Sequence, residues 1–188
     1  MSYSIKFNYL LRVFFSMSFV FLLVGCQKED DNQFRIQVFS NVPAIAFEEL
    51  EAHTNYNDVN LIDFKIDRYP PVAERLLVEI VSHSGDLIIM DRAILGTAYD
   101  SEELHSLDSL MTEENAVELT DIELELFTTD AEIDKVENEE IILKNALRVI
   151  NSDEFIIDSE PIELVAVIPK YTKSKEMAFS ILEELVRK

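Results

Sequence analysis

The chain reads as an α/β protein, one domain on a mostly parallel sheet with flanking helices and some antiparallel strands. Three stretches carry that expectation. Residues 34–40 (FRIQVFS) alternate, with Phe34, Ile36, Val38 and Ser40 on one side, as a strand does. Residues 72–81 place Val72, Leu76 and Ile80 in one row and Ala73, Leu77 and Val81 in the next, a wide helical apolar face. Leu87, Ile88, Ile89 and Met90, bounded by Asp86 and Asp91, are apolar on both sides, which suits a central strand covered on both faces.

The remaining elements follow from their punctuation. Asn41-Val42-Pro43 stops the first strand and starts a helix, with Phe47 and Leu50 inward. Asn55-Tyr56-Asn57-Asp58 is a turn, and residues 59–66 (VNLIDFKI) are the second strand. Tyr69-Pro70-Pro71 opens the helix over 72–81, since proline near the first helical position gives up no needed hydrogen bond. Ser84-Gly85 ends it, with Gly85 suited to a left-handed cap. Residues 97–158 hold 19 acidic side chains against three basic ones, so much of that stretch is surface. Within it, residues 121–127 alternate as a half-buried strand, 141–150 fit a strand or a helix equally, and 154–158 are a short strand. Residues 163–168 (ELVAVI) are a buried strand ended by Pro169. Residues 173–188 form a last helix, with Met177, Ala178, Ile181, Leu182, Leu185 and Val186 inward.

The N-terminus has a different character. Lys6 and Arg12 precede an apolar run that closes in Leu23-Val24-Gly25-Cys26, and a polar stretch, QKEDDNQ, follows. A basic start, a short apolar core and a small residue describe a secretory signal. The run is too short for a spanning helix, which needs about 20 apolar residues. Leu-x-Gly-Cys resembles a bacterial lipobox. That resemblance implies cleavage between Gly25 and Cys26 and a diacylglycerol (palmitate-type acyl chains) on the Cys26 thiol. The expected organisation is a signal peptide over 1–25, a flexible tether over 26–33 and a single α/β domain over 34–188, lipid-anchored on the extracytoplasmic side of the cell membrane.

Composition narrows the function. All 37 acidic residues follow Cys26, and two of the 16 basic ones precede it, leaving a mature net charge of −23. Such a domain as a whole repels nucleic acid and anionic lipid head groups. Cys26 is the one cysteine, so once acylated it leaves no thiol for a disulfide, a nucleophile or a thiolate metal site. Three glycines, Gly25, Gly85 and Gly96, cannot form a phosphate-cradling loop. His53, His83 and His105 are scattered. The acidic run from Asp130 lacks the glycine and the terminal glutamate of a calcium loop. No metal and no cofactor other than the lipid is expected, and no enzyme.

Four phrases taken in order, RIQVFSNVPAIAFEELEAH, ERLLVEIVSHSGDLIIMD, LHSLDSL and VAVIPKYTKSKEMAFSILEELV, resemble the extracellular solute-binding proteins of bacterial ABC importers. The strand beginning at Gly85-Asp86 and the closing strand-then-helix are part of that likeness. The resemblance implies one lobe of a periplasmic-binding-protein fold, because about 50 residues stand where a second lobe would be. It implies a transport-related, non-catalytic binding module. Its candidate partners are the membrane, a small-molecule solute, and a transporter or other surface protein. A structural or assembly lipoprotein holding a protein partner is the alternative.

In open α/β sheets ligands bind at the carboxyl ends of the strands. That places Ser40, Asn41, Asp91 and Arg92 as candidate ligand-binding residues. Each also has a structural reading: Ser40 and Asn41 as turn or capping residues, Asp91 and Arg92 as a mutual or surface ion pair. The lipobox yields the first prediction. Cys26→Ala leaves an unprocessed precursor that takes up no fatty acid on metabolic labelling; normal labelling of that variant excludes the anchor.

Overall fold

The structure is a computed structural model, and it describes residues 33–43, 63–120, 123, 142–149, 156–157 and 160–186. These belong to one unit, Gln33–Lys188. The expected helix bearing Phe47 and Leu50, the tether up to residue 32, Gly25 and Cys26 lie outside the described residues.

Strand β1 (Gln33–Phe39) pairs in parallel with β2 (Asp63–Tyr69) on one side and with β3 (Leu87–Asp91) on the other. Helix α1 (Ala73–Val81) carries the chain from β2 across to β3. Strand β3 leads into a short 3-10 turn (Arg92–Ile94) and a single helical turn, α2 (Leu95–Ala98). Then come β4 (Ala116–Glu118), β5 (Ile142–Arg148), a small hairpin of β6 (Ile156–Ile157) and β7 (Glu160–Pro161), β8 (Leu164–Val167) and helix α3 (Lys175–Val186). The sheet order is β2-β1-β3-β8-β5-β4.

This is an α/β fold with a mixed six-stranded sheet, and the expectation of a mostly parallel sheet is corrected. The pairings β3–β8, β8–β5 and β5–β4 are all antiparallel. The reason is visible in β8. Its four residues, Leu164, Val165, Ala166 and Val167, are all buried. A strand covered on both faces reads as a continuous apolar run whichever way its neighbour points. Two boundaries also move. The second strand, described over Asp63–Tyr69, runs on past the expected end at Ile66, its expected residues 59–62 lie outside the described residues, and β1 takes in Gln33, one residue earlier than expected. Residues 141–150, which fitted strand or helix, contain β5. Glu123 is helical where a strand was expected, and its neighbours lie outside the described residues.

Side-chain alternation splits the core into two layers. Phe34, Ile36, Val38, Leu87, Ile89, Leu164 and Ala166 face α3, which contributes Ala178, Ile181, Leu182 and Val186. Phe39, Ile88, Met90, Val165 and Val167 face the opposite side, which Leu76 of α1 and Leu95, Ala98 and Leu104 cover. Strand β3 feeds both layers, and its Leu87, Ile88, Ile89 and Met90 are each 0% exposed.

Helix α1 does not bury the face expected of it. Its buried residues are Leu76 and Glu79, while Leu77, Val78 and Val81 are 49%, 56% and 71% exposed. The cause lies on the strand beneath. Gln37 is 1% exposed and faces the helix, and a buried amide needs partners. Its Nε2 donates to Glu79 Oε2 at 2.9 Å and to Ser84 Oγ at 3.0 Å. The Ser84 hydroxyl donates to the same carboxylate, and Arg75 pairs with it from one turn earlier. Turning Glu79 inward to complete this cluster turns part of the apolar face outward.

The helix ends in a Schellman arrangement: Ser84 N–H donates to Glu79 O at 3.3 Å and His83 N–H to Ile80 O at 3.0 Å. The left-handed residue is His83, at φ 55°, and not the expected Gly85. Gly85 has another use. A Cβ there would lie 2.6 Å from Gln37 Oε1 and 2.9 Å from its Cδ, so glycine makes room for the buried amide. We therefore predict that Gly85→Ala destabilises the fold by about 1–3 kcal/mol through loss of the Gln37–Glu79 hydrogen bond. In a Gln37→Ala background most of that penalty disappears. Chemical denaturation of the two single variants and the double variant measures this coupling directly.

Candidate functional site

The carboxyl ends of β1 and β3 bring Ser40, Asn41, Asp91 and Arg92 to one sheet edge. Ser40 is held by its backbone, whose N–H donates to Tyr69 O at 3.1 Å. Its Oγ accepts the Val42 N–H at 3.1 Å and its hydroxyl serves the Asp91 carboxylate. Asn41 is exposed beside it. Asp91 Oδ1 is buried with no hydrogen-bond partner among the described residues. Burial pushes its carboxyl above the usual Asp range, against the opposing effect of the Ser40 hydrogen bond.

Arg92 points into a different arrangement. Its Nη1 donates to Glu163 Oε1 at 3.0 Å and Oε2 at 3.1 Å. Its Nε donates to Glu123 Oε1 at 3.0 Å and its Nη2 to Glu123 Oε2 at 2.9 Å. Nη2 also donates to the Glu118 carbonyl. Such two-pronged pairing is the strongest form of arginine–carboxylate contact. The Arg92 hydrogen bonds, with help from Thr120, lower the Glu123 carboxyl to about 2. The guanidinium in turn is held protonated beyond its ordinary range, chiefly by Glu123 and, against the cost of burial, by Glu163. Arg92 thus ties the start of β8 to the segment after β4, and its ion pairs are with Glu163 and Glu123, not with Asp91.

A second feature lies between α1 and the segment after α2. It is an apolar groove of about 210 Å³, lined by Leu77, Ile80, Ala98, Leu104, Tyr99 and Tyr171 among others. Burial raises the hydroxyls of Tyr99 and Tyr171 above the usual tyrosine range, the latter against the Gly85 amide. His83 stacks on Tyr171 with ring centroids 4.5 Å apart. At neutral pH the groove therefore offers apolar walls and two neutral phenols, a surface suited to apolar matter with a few polar contacts. Sequence reasoning did not find it. The available signal was the width of the apolar face over 72–81, which exceeds what one sheet contact can cover.

The other candidates can be placed briefly. His105 donates its backbone N–H to Ile168 O, and burial together with Lys175 and Lys170 holds its imidazole below the usual histidine range. No three metal-ligating side chains gather among the described residues. His53 and the acidic run from Asp130 lie outside them.

Asp91 generates a prediction with a definite sign. A carboxyl raised by burial costs the fold stability once it ionises. The cost is absent below the ordinary Asp value of 3.8 and appears as pH rises through the raised value. Asp91→Asn should therefore melt above the wild type at neutral pH, with the difference vanishing in acid. A neutral-pH melting point below the wild type would show that the carboxylate has a charged or donating partner beyond Ser40.

Comparison with known proteins adds one resemblance. The chain is 24% identical over 170 residues to a protein of Bacillus subtilis (strain 168) named "Putative lipoprotein YteS", covering 88% of this chain and 89% of that one. No protein-family model matches the chain, and no solved structure matches it. The likeness is consistent with a membrane-anchored lipoprotein, and nothing in the comparisons supports the solute-binding family.

Proposed function

We propose that this chain is a non-catalytic binding module, held on the extracytoplasmic face of a membrane by a diacylglycerol on Cys26, and that its binding surface is the groove between α1 and the segment after α2. The observation that carries the reading is the groove itself. Its walls are apolar side chains of Leu77, Ile80, Ala98 and Leu104, and Leu77 continues it onto the surface at 49% exposure. The carboxyl edge competes less well. Arg92, the charge that would recognise an anionic solute there, is already engaged by two carboxylates. The ligand class proposed is an apolar small molecule or an apolar side chain of a partner. Capture of such a solute for import fits the same geometry.

A protein partner is the second reading, favoured by the exposed residues that continue the groove along α1. Thermal melting of the mature chain from Gln27, against apolar ligands, sugars, amino acids, oligopeptides and metal ions, tests both. A ligand at a hundred times its Kd stabilises by about 2.7 kcal/mol, roughly 5–10 °C for a domain of this size. The expected outcome is a shift with an apolar class, abolished by Leu77→Asp and retained by Asn41→Ala. A shift with a polar solute that Asn41→Ala abolishes moves the site to the carboxyl edge. A flat panel, with a crosslinked protein lost on Leu77→Asp, favours the assembly reading.

A further inference from the structure

The chain outside the described fold ends at a particular place. Seven chain steps separate Cys26 from Gln33, where β1 begins. Fully extended they reach roughly 25 Å, whereas a domain of this length is about 40 Å across. A lipid on Cys26 therefore holds the starting edge of β1 close to the bilayer.

What else lies at that edge can be traced by hydrogen bonds. Asp86, just before β3, donates its N–H to Arg35 O at 2.8 Å, and its Oδ2 accepts the Arg35 N–H at 2.9 Å. Its Oδ1 accepts the Thr172 hydroxyl at 2.6 Å. The turn before α3 and the end of α1 are thereby docked beside the first residues of β1. Two kinds of side chain gather there. Val78 and Val81, on the last turns of α1, are 56% and 71% exposed, with Leu77 next to them at 49%. Spacings of three and four residues make these one patch on a helix surface. Lys170, Lys173 and Lys175 are exposed in the turn and at the start of α3. They are three of only 14 basic residues in a mature chain of net charge −23.

We infer that this edge is the lipid-facing surface of the protein. Val78 and Val81 enter the interfacial layer and the three lysines meet anionic head groups, so that the edge bearing Ser40, Asn41 and Asp91 points away from the membrane. Apolar side chains flanked by lysines bind such an interface by area and by charge together. The inference rests on the anchoring proposed above.

The chain contains no tryptophan, so one introduced indole is a unique reporter. The processed lipoprotein carrying Val81→Trp or Asn41→Trp is reconstituted into vesicles of phosphatidylcholine and phosphatidylglycerol containing spin-labelled lipid. The Val81→Trp indole is expected to emit further to the blue and to be quenched several-fold more than the Asn41→Trp indole. Adding Lys173→Glu and Lys175→Glu is expected to reduce that quenching in anionic vesicles and leave it unchanged in phosphatidylcholine alone. Equal quenching at the two positions, or stronger quenching at position 41, overturns the inference. Failure of the anchor is seen separately, as a purified protein whose mass lacks the lipid. Coupling the lone thiol of Cys26 to a maleimide lipid then puts the same edge to the same quenching test, with the same outcomes.

Discussion

Strand β3 is the constraint on which the rest of the structure depends. Its four apolar residues are buried without remainder, two toward each layer. Burying a side chain of this size stabilises by about 1.5–3 kcal/mol, so four consecutive positions organise both halves of the core. Strand β3 is also where strand direction changes. It runs parallel to β1 and antiparallel to β8. The parallel half requires a crossover, and α1 supplies one. The antiparallel half needs none, and β8, β5 and β4 arrive from later in the chain to complete it.

The polar cluster beneath α1 decides how that crossover sits. A glutamine in the middle of a buried strand face must be given partners, and Glu79 and Ser84 are the ones within reach. Satisfying them fixes the rotation of the helix about its own axis. The same rotation leaves Leu77 at the lip of the groove and Val78 and Val81 in the open. The exposed apolar surface of α1 is thus a consequence of buried polarity elsewhere. It is available to a ligand, a partner or a lipid because the sheet beneath has no use for it. Contiguous exposed apolar surface of this kind generally marks an interaction site.

The two edges of the sheet differ in electrostatic character for a related reason. At the carboxyl edge, Arg92 between Glu163 and Glu123 spends its charge on joining segments distant in sequence. Asp91 beside it keeps one buried oxygen without a partner among the described residues. At the opposite edge, Asp86 accepts the Arg35 amide and the Thr172 hydroxyl, and the lysines of the nearby turn stay exposed. Lys170, Lys173 and Lys175 of a strongly acidic domain are thus exposed in and after the turn that docks beside the start of β1.

Local pattern alone determined a good deal of this. The alternation of Phe34, Ile36 and Val38, the apolar run Leu87 to Met90 and the inward row Ala178, Ile181, Leu182 and Val186 each encode a period that only one element satisfies. The lipobox-like phrase at Cys26 is legible in the same way, because recognition of that segment depends on consecutive residues. Tertiary structure decided what period cannot encode. An apolar run such as Leu164 to Val167 carries no mark of its neighbours' direction, so the sheet became mostly antiparallel only once β8 met β3. Gly85 was legible as special, but its role is to clear space for Gln37, 48 positions earlier. Arg92 was legible as an edge residue, while its partners Glu163 and Glu123 come from segments that only folding brings together. The groove was legible only as an apolar helix face too wide for one contact, since which residues of that face remain uncovered depends on the surface packed against it.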